Sequence, residues 1–65
     1  MTINELINNN INTDEVDLIT VHMDDKIIAQ CDNKESLASE LSMVVEDYEV
    51  TYDVDEGSVY LDIYV

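Results

Sequence analysis

Strict alternation of apolar and polar residues runs through the last third of the 65-residue chain. Alternation of this kind is typical of β-strands with one buried face, and two such runs around a turn signal predict a hairpin. A turn over residues 55–58 would pair Val54 with Val59 and turn every apolar side chain to one side. That apolar set comprises Tyr48, Val50, Tyr52, Val54, Val59, Leu61, Ile63 and Val65.

The opposite side of this predicted hairpin is acidic. Successive side chains of a strand point to opposite faces, so the residues between the apolar ones face outward. The outward set is Asp47, Glu49, Asp53, Tyr60, Asp62 and Tyr64. Asp55 and Glu56 lie in the turn and extend the same acidic surface.

Another hairpin is predicted earlier in the chain, between residues 16 and 31. Val16–Met23 and Lys26–Cys31 are β-rich runs with partial alternation. Asp24 and Asp25 separate them, and Asp is a common turn residue.

A short helix is predicted before each hairpin. Thr2 and Glu5 form a capping-box pattern, and the run of Asn at residues 8–10 ends the first helix. The second helix covers residues 34–46 and is capped by Asp32 or Asn33. Two apolar stripes at helical spacing support these helices: Ile3, Leu6 and Ile7 in the first, and Leu37, Leu41, Val44 and Val45 in the second.

A short internal repeat suggests how these elements assemble. Displacing the chain by 31 positions places Ile19–Asp25 over Val50–Glu56, so that helix and hairpin occur twice. The predicted fold class is therefore α+β, with the order αββαββ in one compact domain over residues 1–65. Its four-stranded antiparallel sheet would carry both helices on one face and leave the other to solvent.

The charge of the chain limits its partners. The chain has sixteen Asp and Glu residues but only two Lys and no Arg, which gives a formal net charge of −14. Direct nucleic-acid binding needs cations to neutralise phosphates, and an anionic membrane surface would repel the chain. The 46% apolar content, with no Pro and one Gly, favours a folded domain over a disordered acidic tail. Without a signal-peptide pattern, a cytoplasmic location is expected.

Catalysis has little support in the sequence. His22 and Cys31 are the only His and Cys, and a two-residue turn would set Cys31 opposite Leu18. At ~3.3 Å per residue this leaves roughly 13 Å between the His and Cys side chains, too far for a nucleophilic pair. We therefore predict a protein that is not an enzyme and needs no cofactor.

The acidic loop at residues 53–57 matches a calcium-binding loop only in part. Asp53-x-Asp55-x-Gly57 resembles the start of an EF-hand loop, but Gly57 falls at loop position 5 instead of 6. Position 12 would be Tyr64 where the motif requires Glu, and the flanking segments are strands. No dedicated metal site is predicted.

The acidity itself is the candidate functional feature. Solubility explains outward carboxylates but not the near absence of cations, and salt adaptation is a second explanation. Carboxylates on a strand face repeat every ~6.6 Å, and strands lie ~4.8 Å apart, so they form rows comparable to the phosphates of DNA. We predict that the outward residues of the C-terminal hairpin, together with Asp55 and Glu56 in its turn, bind a partner, with Asp24 and Asp25 as secondary candidates.

In size, charge and small α+β layout, the chain resembles the acidic DNA-mimic inhibitors of phages and other mobile elements, which include many anti-CRISPR proteins. The resemblance covers the whole chain and rests on no residue motif, so it assigns no role to individual residues. It implies a non-catalytic inhibitor that occupies the DNA-binding or PAM-recognition site of a host defence complex. If phage-encoded, the protein would act in the host cytoplasm.

Two other functions remain open at this level. One is an acidic interaction module that docks on a basic protein unrelated to nucleic acid, and the other is an antitoxin-like partner of a basic toxin. In all three functions the chain would bind a basic protein, and a Cas effector is one candidate. None of them involves direct binding to nucleic acid or membrane. The chain itself is expected to be a monomer or a small homo-oligomer.

Overall fold

Four strands form one sheet in the computed structural model, which describes residues 1–65. The strands are β1 (Leu18–Met23), β2 (Lys26–Cys31), β3 (Asp47–Asp53) and β4 (Ser58–Tyr64). Their order in the sheet is β2-β1-β4-β3, so β1 and β4 are central and β2 and β3 are edges. The α+β class is confirmed.

The sheet is mixed, which corrects the antiparallel prediction. Both hairpins are antiparallel as expected, but β1 and β4 pair in parallel at the centre, with Ile19 opposite Leu61 and Val21 opposite Ile63. These four side chains are buried. A central position in the sheet buries these side chains better than an edge position would.

The core lies on one side of the sheet, here called the inner face. Ile19, Val21, Leu61 and Ile63 supply its sheet half. The segments that cross this face complete it with Ile3, Leu6, Ile7, Val16 and Leu37. The opposite side, the outer face, is covered by no other element.

The first hairpin turns as predicted but contains a bulge. Asp24 and Asp25 have φ of 51° and 65°, the left-handed values that a type I′ turn requires at both central residues. The register shifts after His22 pairs with Ile27, so that Val21 pairs with Ala29 and Ile28 is the extra residue. The bulge turns Ala29 toward the inner face beside Val21.

The second hairpin has a longer loop than predicted. Tyr52 pairs with Val59 and Asp53 with Ser58, which leaves the four residues 54–57 in the loop and Val54 outside the strand. The pairing predicted between Val54 and Val59 is therefore wrong by two positions, although each residue keeps its face because the side-chain period is two. Gly57 closes the loop with φ of 67° and donates its N–H to the Asp53 carbonyl, 2.7 Å away.

The N-terminal helix forms as predicted. It starts as an α-helix, α1 (Ile3–Glu5), with a complete capping box between Thr2 and Glu5, and continues as a π-helical turn over Leu6–Asn10. A 3₁₀ turn over Thr13–Glu15 leads into β1. None of the helical segments has the length and apolar character needed to cross a membrane.

The second predicted helix, over residues 34–46, does not form. Only a 3₁₀ turn at Lys34–Leu37 is present, capped by Asn33 as expected, and turns follow it to residue 42. The backbone of residues 41–45 pairs instead with the N-terminus: Ile3 and Asn4 donate to the carbonyls of Met43 and Leu41. Three Ser residues in this segment also compete for backbone hydrogen bonds and lower its helix propensity.

The missing helix leaves the inner face of β3 uncovered. The hairpin pattern predicts that the apolar residues of β3 are buried, but Tyr48, Val50 and Tyr52 are 41%, 50% and 61% exposed. Val54, in the loop, is also exposed. The core therefore extends under β1 and β4 and stops short of β3.

Candidate partner-binding surface

The outer face of β3 and β4 carries the predicted acidic residues together. Register places Asp47 opposite Tyr64, Glu49 opposite Asp62, Thr51 opposite Tyr60 and Asp53 opposite Ser58. We call Asp47, Glu49, Asp53 and Asp62, with Tyr60 and Tyr64, the acidic face. It lies on the side of the sheet away from the core and is open to solvent.

Two carboxylates of the acidic face sit directly across from each other. Glu49 and Asp62 are cross-strand partners, an arrangement in which like charges destabilise a sheet. Neither Lys26 nor Lys34 lies close enough to offset this repulsion. The one ion pair within 4.0 Å in the chain joins His22 to Asp62. The surface therefore keeps its negative charge concentrated.

His22 joins the acidic face from the central strand β1. Its Nε2 lies 2.8 Å from Asp62 Oδ1, and its ring stacks on Tyr64 with centroids 4.7 Å apart and planes 15° apart. Partial desolvation raises the pKa of Tyr64, and the negative charges of Asp62, Glu49 and Asp47 raise it further. The phenol thus stays neutral and able to donate a hydrogen bond at one end of an anionic surface.

Acidic residues also occupy both ends of the acidic face. Asp55 and Glu56 lie in the loop between β3 and β4, at the end where β4 begins. Asp24 and Asp25 lie at the other end, where β1 and β4 finish. There they line an open groove of about 490 Å³ together with His22, Glu46, Tyr64 and Val65. The structure thus spreads the ten predicted residues along the whole length of the strands.

Three of the predicted residues also make local hydrogen bonds, two of them to the backbone. Asp53 Oδ1 accepts the N–H groups of Asp55 and Glu56 at 3.0 and 3.3 Å and so shapes the loop. Asp47 Oδ1 accepts the N–H of Tyr48 at 2.8 Å. Glu56 Oε2 accepts the Tyr60 hydroxyl at 3.3 Å. The side chains of Glu49 and Asp55 make no hydrogen bond of this kind, so these positions can be substituted with the least effect on the local structure.

The Cys–His arrangement considered from the sequence does not assemble. The bulge sets Cys31 opposite Ile19 instead of Leu18, on the inner face, whereas His22 lies on the outer face. Burial raises the pKa of the half-buried Cys31 thiol, and the nearby carboxylates of Asp32 and Glu40 raise it too, although a backbone bond from Asn33 opposes them. Among residues 1–65, no three His, Cys, Asp or Glu side chains converge as metal ligands.

Two contributors to this surface were not among the predicted site residues. His22 reaches the acidic face because β1 lies beside β4, a pairing between distant segments that local pattern does not report. Glu46 lies in the groove because the chain before β3 is extended and not helical. The alternation of Thr20 and His22 with Ile19 and Val21 was the one available signal for His22.

Comparison of the chain with known protein families, curated proteins and solved structures finds no match.

Proposed function

We propose that this protein is a non-catalytic inhibitor that covers the nucleic-acid-binding site of a basic host protein, and that its target is a CRISPR–Cas effector complex. The observation that carries the proposal is the acidic face. It keeps Glu49 opposite Asp62 without a neighbouring lysine, although folding gains nothing from that repulsion. Charge kept at a cost to stability points to a partner that compensates it.

The dimensions of the surface support mimicry of a duplex. The seven residues of β3 span roughly 23 Å, and over that length a duplex carries ~14 charges on its two strands. The protein presents nine carboxylates in all, four of them within that length and five beyond the ends of these strands. They are Asp24, Asp25, Glu46, Asp47, Glu49, Asp53, Asp55, Glu56 and Asp62. One strand of a duplex carries ~7 charges over ~23 Å, so the protein offers a basic groove negative charge of the same order.

The aromatic residues distinguish the surface from a simple row of phosphates. Tyr60 and Tyr64 stand between the carboxylates, and Tyr is frequent among the residues that dominate interface energetics. The neutral phenol of Tyr64 offers a hydrogen-bond donor that DNA phosphates lack. A partner can therefore bind this protein more tightly than it binds nonspecific DNA.

Competition for a purified effector complex tests the proposal. Increasing concentrations of the protein should release bound DNA, and excess DNA should release the protein, in a mobility-shift or anisotropy assay. Mutual displacement supports mimicry. If the protein binds a basic partner that DNA does not compete for, the partner is of the interaction-module or antitoxin kind and the proposed inhibition is wrong.

Charge reversal locates the working surface. The variant Glu49→Lys/Asp55→Lys changes the acidic face without removing a backbone hydrogen bond, and should abolish inhibition. The matched control Glu15→Lys/Glu35→Lys alters net charge equally at exposed positions outside the sheet. Equal loss of inhibition in both variants would mean that net charge acts without a defined face.

A further inference from the structure

The backbone along the outer edge of β3 has no neighbouring strand. β3 is the last strand in the order β2-β1-β4-β3, so alternate N–H and C=O groups of Asp47–Asp53 point away from the sheet. The Asp47 side chain takes the N–H of Tyr48, the first residue after the start of the strand. The remainder of a seven-residue edge is free to pair.

The two sides of this edge strand have opposite chemistry. On the inner side, Tyr48, Val50 and Tyr52 form an apolar row of which about half stays exposed to solvent. On the outer side, the alternate positions are occupied by Asp47, Glu49, Thr51 and Asp53. An edge that is apolar on one side and anionic on the other selects a complementary strand.

We propose that β3 accepts a fifth strand from its partner, an extended segment in which apolar and basic residues alternate. The added strand would place its apolar side chains beside Val50 and its Lys or Arg side chains beside Glu49, while its backbone continues the sheet. The inference rests on the proposed function in one respect, the basic nature of the partner. Beyond the proposed function, the inference specifies that the partner is bound through an extended segment and that the exposed edge of β3 binds it.

Charge argues against a second copy of the chain as the occupant. An antiparallel pairing of two β3 strands centred on Val50 would set Asp47 of each chain opposite Asp53 of the other. Like charges in that position are destabilising, and each copy also brings a net charge of −14. Inward or edge carboxylates of this kind commonly protect exposed strands from pairing with themselves.

Short synthetic peptides test this edge without altering the protein. The probe is a capped heptapeptide in which four Lys alternate with three Val, and its control has the same composition with the three Val in one block. Titrations of the isotope-labelled full chain, followed by NMR, should show the alternating peptide binding at least about tenfold more tightly, with shifts concentrated in residues 47–53. Equal affinity for the two peptides would overturn the proposal in favour of plain charge attraction.

Backbone methylation provides the decisive comparison. N-methylation of all Val or of all Lys keeps the charge but blocks every second N–H donor. Because successive N–H groups of a strand point to opposite sides, only one of the two methylated peptides loses the donors that face β3. One pattern should weaken binding at least about tenfold and the other should leave it within about twofold. No difference between the patterns would mean that the added strand does not form.

Two further outcomes separate this inference from the proposed function. If the protein displaces DNA from its target but ignores the alternating peptide, the fifth strand is wrong and the inhibitor remains. If the peptide adds to β3 but no DNA is displaced, the edge is confirmed and the inhibitor is wrong. A dimer at micromolar concentration that excludes the peptide, and whose NMR shifts on dilution concentrate in residues 47–53, would assign the edge to a second copy and overturn the proposal.

Discussion

Glu49 and Asp62 lie directly opposite each other on β3 and β4, so the sheet holds two carboxylates side by side on its outer face. Asp62 has His22 as a neighbour on the other side, whereas Glu49 stands on the edge strand without a cation. The pair therefore links stability to the proposed function, because the repulsion that weakens the fold also builds the negative surface.

Neutralising Glu49 should stabilise the protein and weaken its binding to a basic partner. Glu49→Gln removes a like-charge cross-strand pair, which is worth about 0.2–1 kcal/mol. Urea unfolding should show this gain over the matched variant Glu15→Gln, which removes the same charge away from the sheet. A Glu49→Gln variant no more stable than its control would show that the two carboxylates do not repel each other.

Tyr64 should ionise above the ordinary range of a tyrosine in alkaline titration. Its pKa is raised by partial desolvation and then by Asp62, Glu49 and Asp47. Because the folded pKa is the higher one, the stability it contributes is complete below the ordinary value of about 10 and is lost as pH rises through the raised value.

Tyrosinate absorbance of the wild type and of Tyr64→Phe identifies this step. Asp62→Asn should lower the pKa of Tyr64, and Glu15→Gln should leave it unchanged. A titration of Tyr64 that Asp62→Asn does not move would show that the charge of Asp62 does not reach the phenol.

Much of the acidic face could be predicted because it depends on local alternation. A period of two assigns Asp47, Glu49 and Asp62 to one face, and this assignment survives even the two-residue error in the hairpin register. The contribution of His22 could not be predicted in the same way. It depends on the parallel pairing of β1 with β4, which joins segments about forty residues apart.

The helix predicted at residues 34–46 shows how tertiary hydrogen bonds override a helical pattern. Leu37 and Leu41 have helical spacing, but the carbonyls of Leu41 and Met43 accept bonds from the N-terminal segment. A helix of this length is marginal alone, so a competing set of backbone bonds decides the outcome. Val50 is exposed for the same reason, because the helix that was expected to cover β3 does not form.

Acidification should reveal the capping box at the N-terminus. Hydrogen bonds from the Thr2 backbone N–H and hydroxyl hold the pKa of Glu5 below its usual value. A lowered pKa gives stability that is present above the ordinary Glu value and is lost as pH falls through the folded one.

Glu5→Gln should therefore be less stable than Glu15→Gln at pH 7, and the difference should shrink as pH falls through the lowered pKa of Glu5. The comparison between these two variants removes the general effect of losing one negative charge. A difference that persists at low pH would assign the effect of Glu5 to packing, since the carboxylate is then protonated.

Salt should stabilise the free protein and weaken its complex. The Debye length falls from ~10 Å at 0.1 M to ~3 Å at 1 M ionic strength, which screens both the repulsion within the chain and its attraction to a basic partner. Circular dichroism should show the melting temperature rising with NaCl at pH 7, where the net charge is −14. Near the isoelectric point of about 4.1 the same salt should have little effect, and a rise of equal size there would indicate that screening is not the cause.

Truncation of two residues that face each other should have very different effects. Leu61 and Val50 are cross-strand partners on the inner face, but Leu61 is fully buried in the core and Val50 is half exposed. Leu61→Ala should cost about 2–5 kcal/mol, enough to leave a domain of this size partly unfolded. Val50→Ala should cost less than about 1 kcal/mol in the free protein, because few contacts are lost at an exposed position.

The same Val50→Ala change should weaken binding of the alternating peptide, because it removes part of the apolar row that the added strand would cover. The free energy of unfolding of the two variants, measured in urea over a range of protein concentrations, tests the first part. If Val50→Ala instead costs as much as Leu61→Ala in the absence of peptide, the inner side of β3 is already covered. A concentration dependence of that loss would identify the cover as a second copy of the chain.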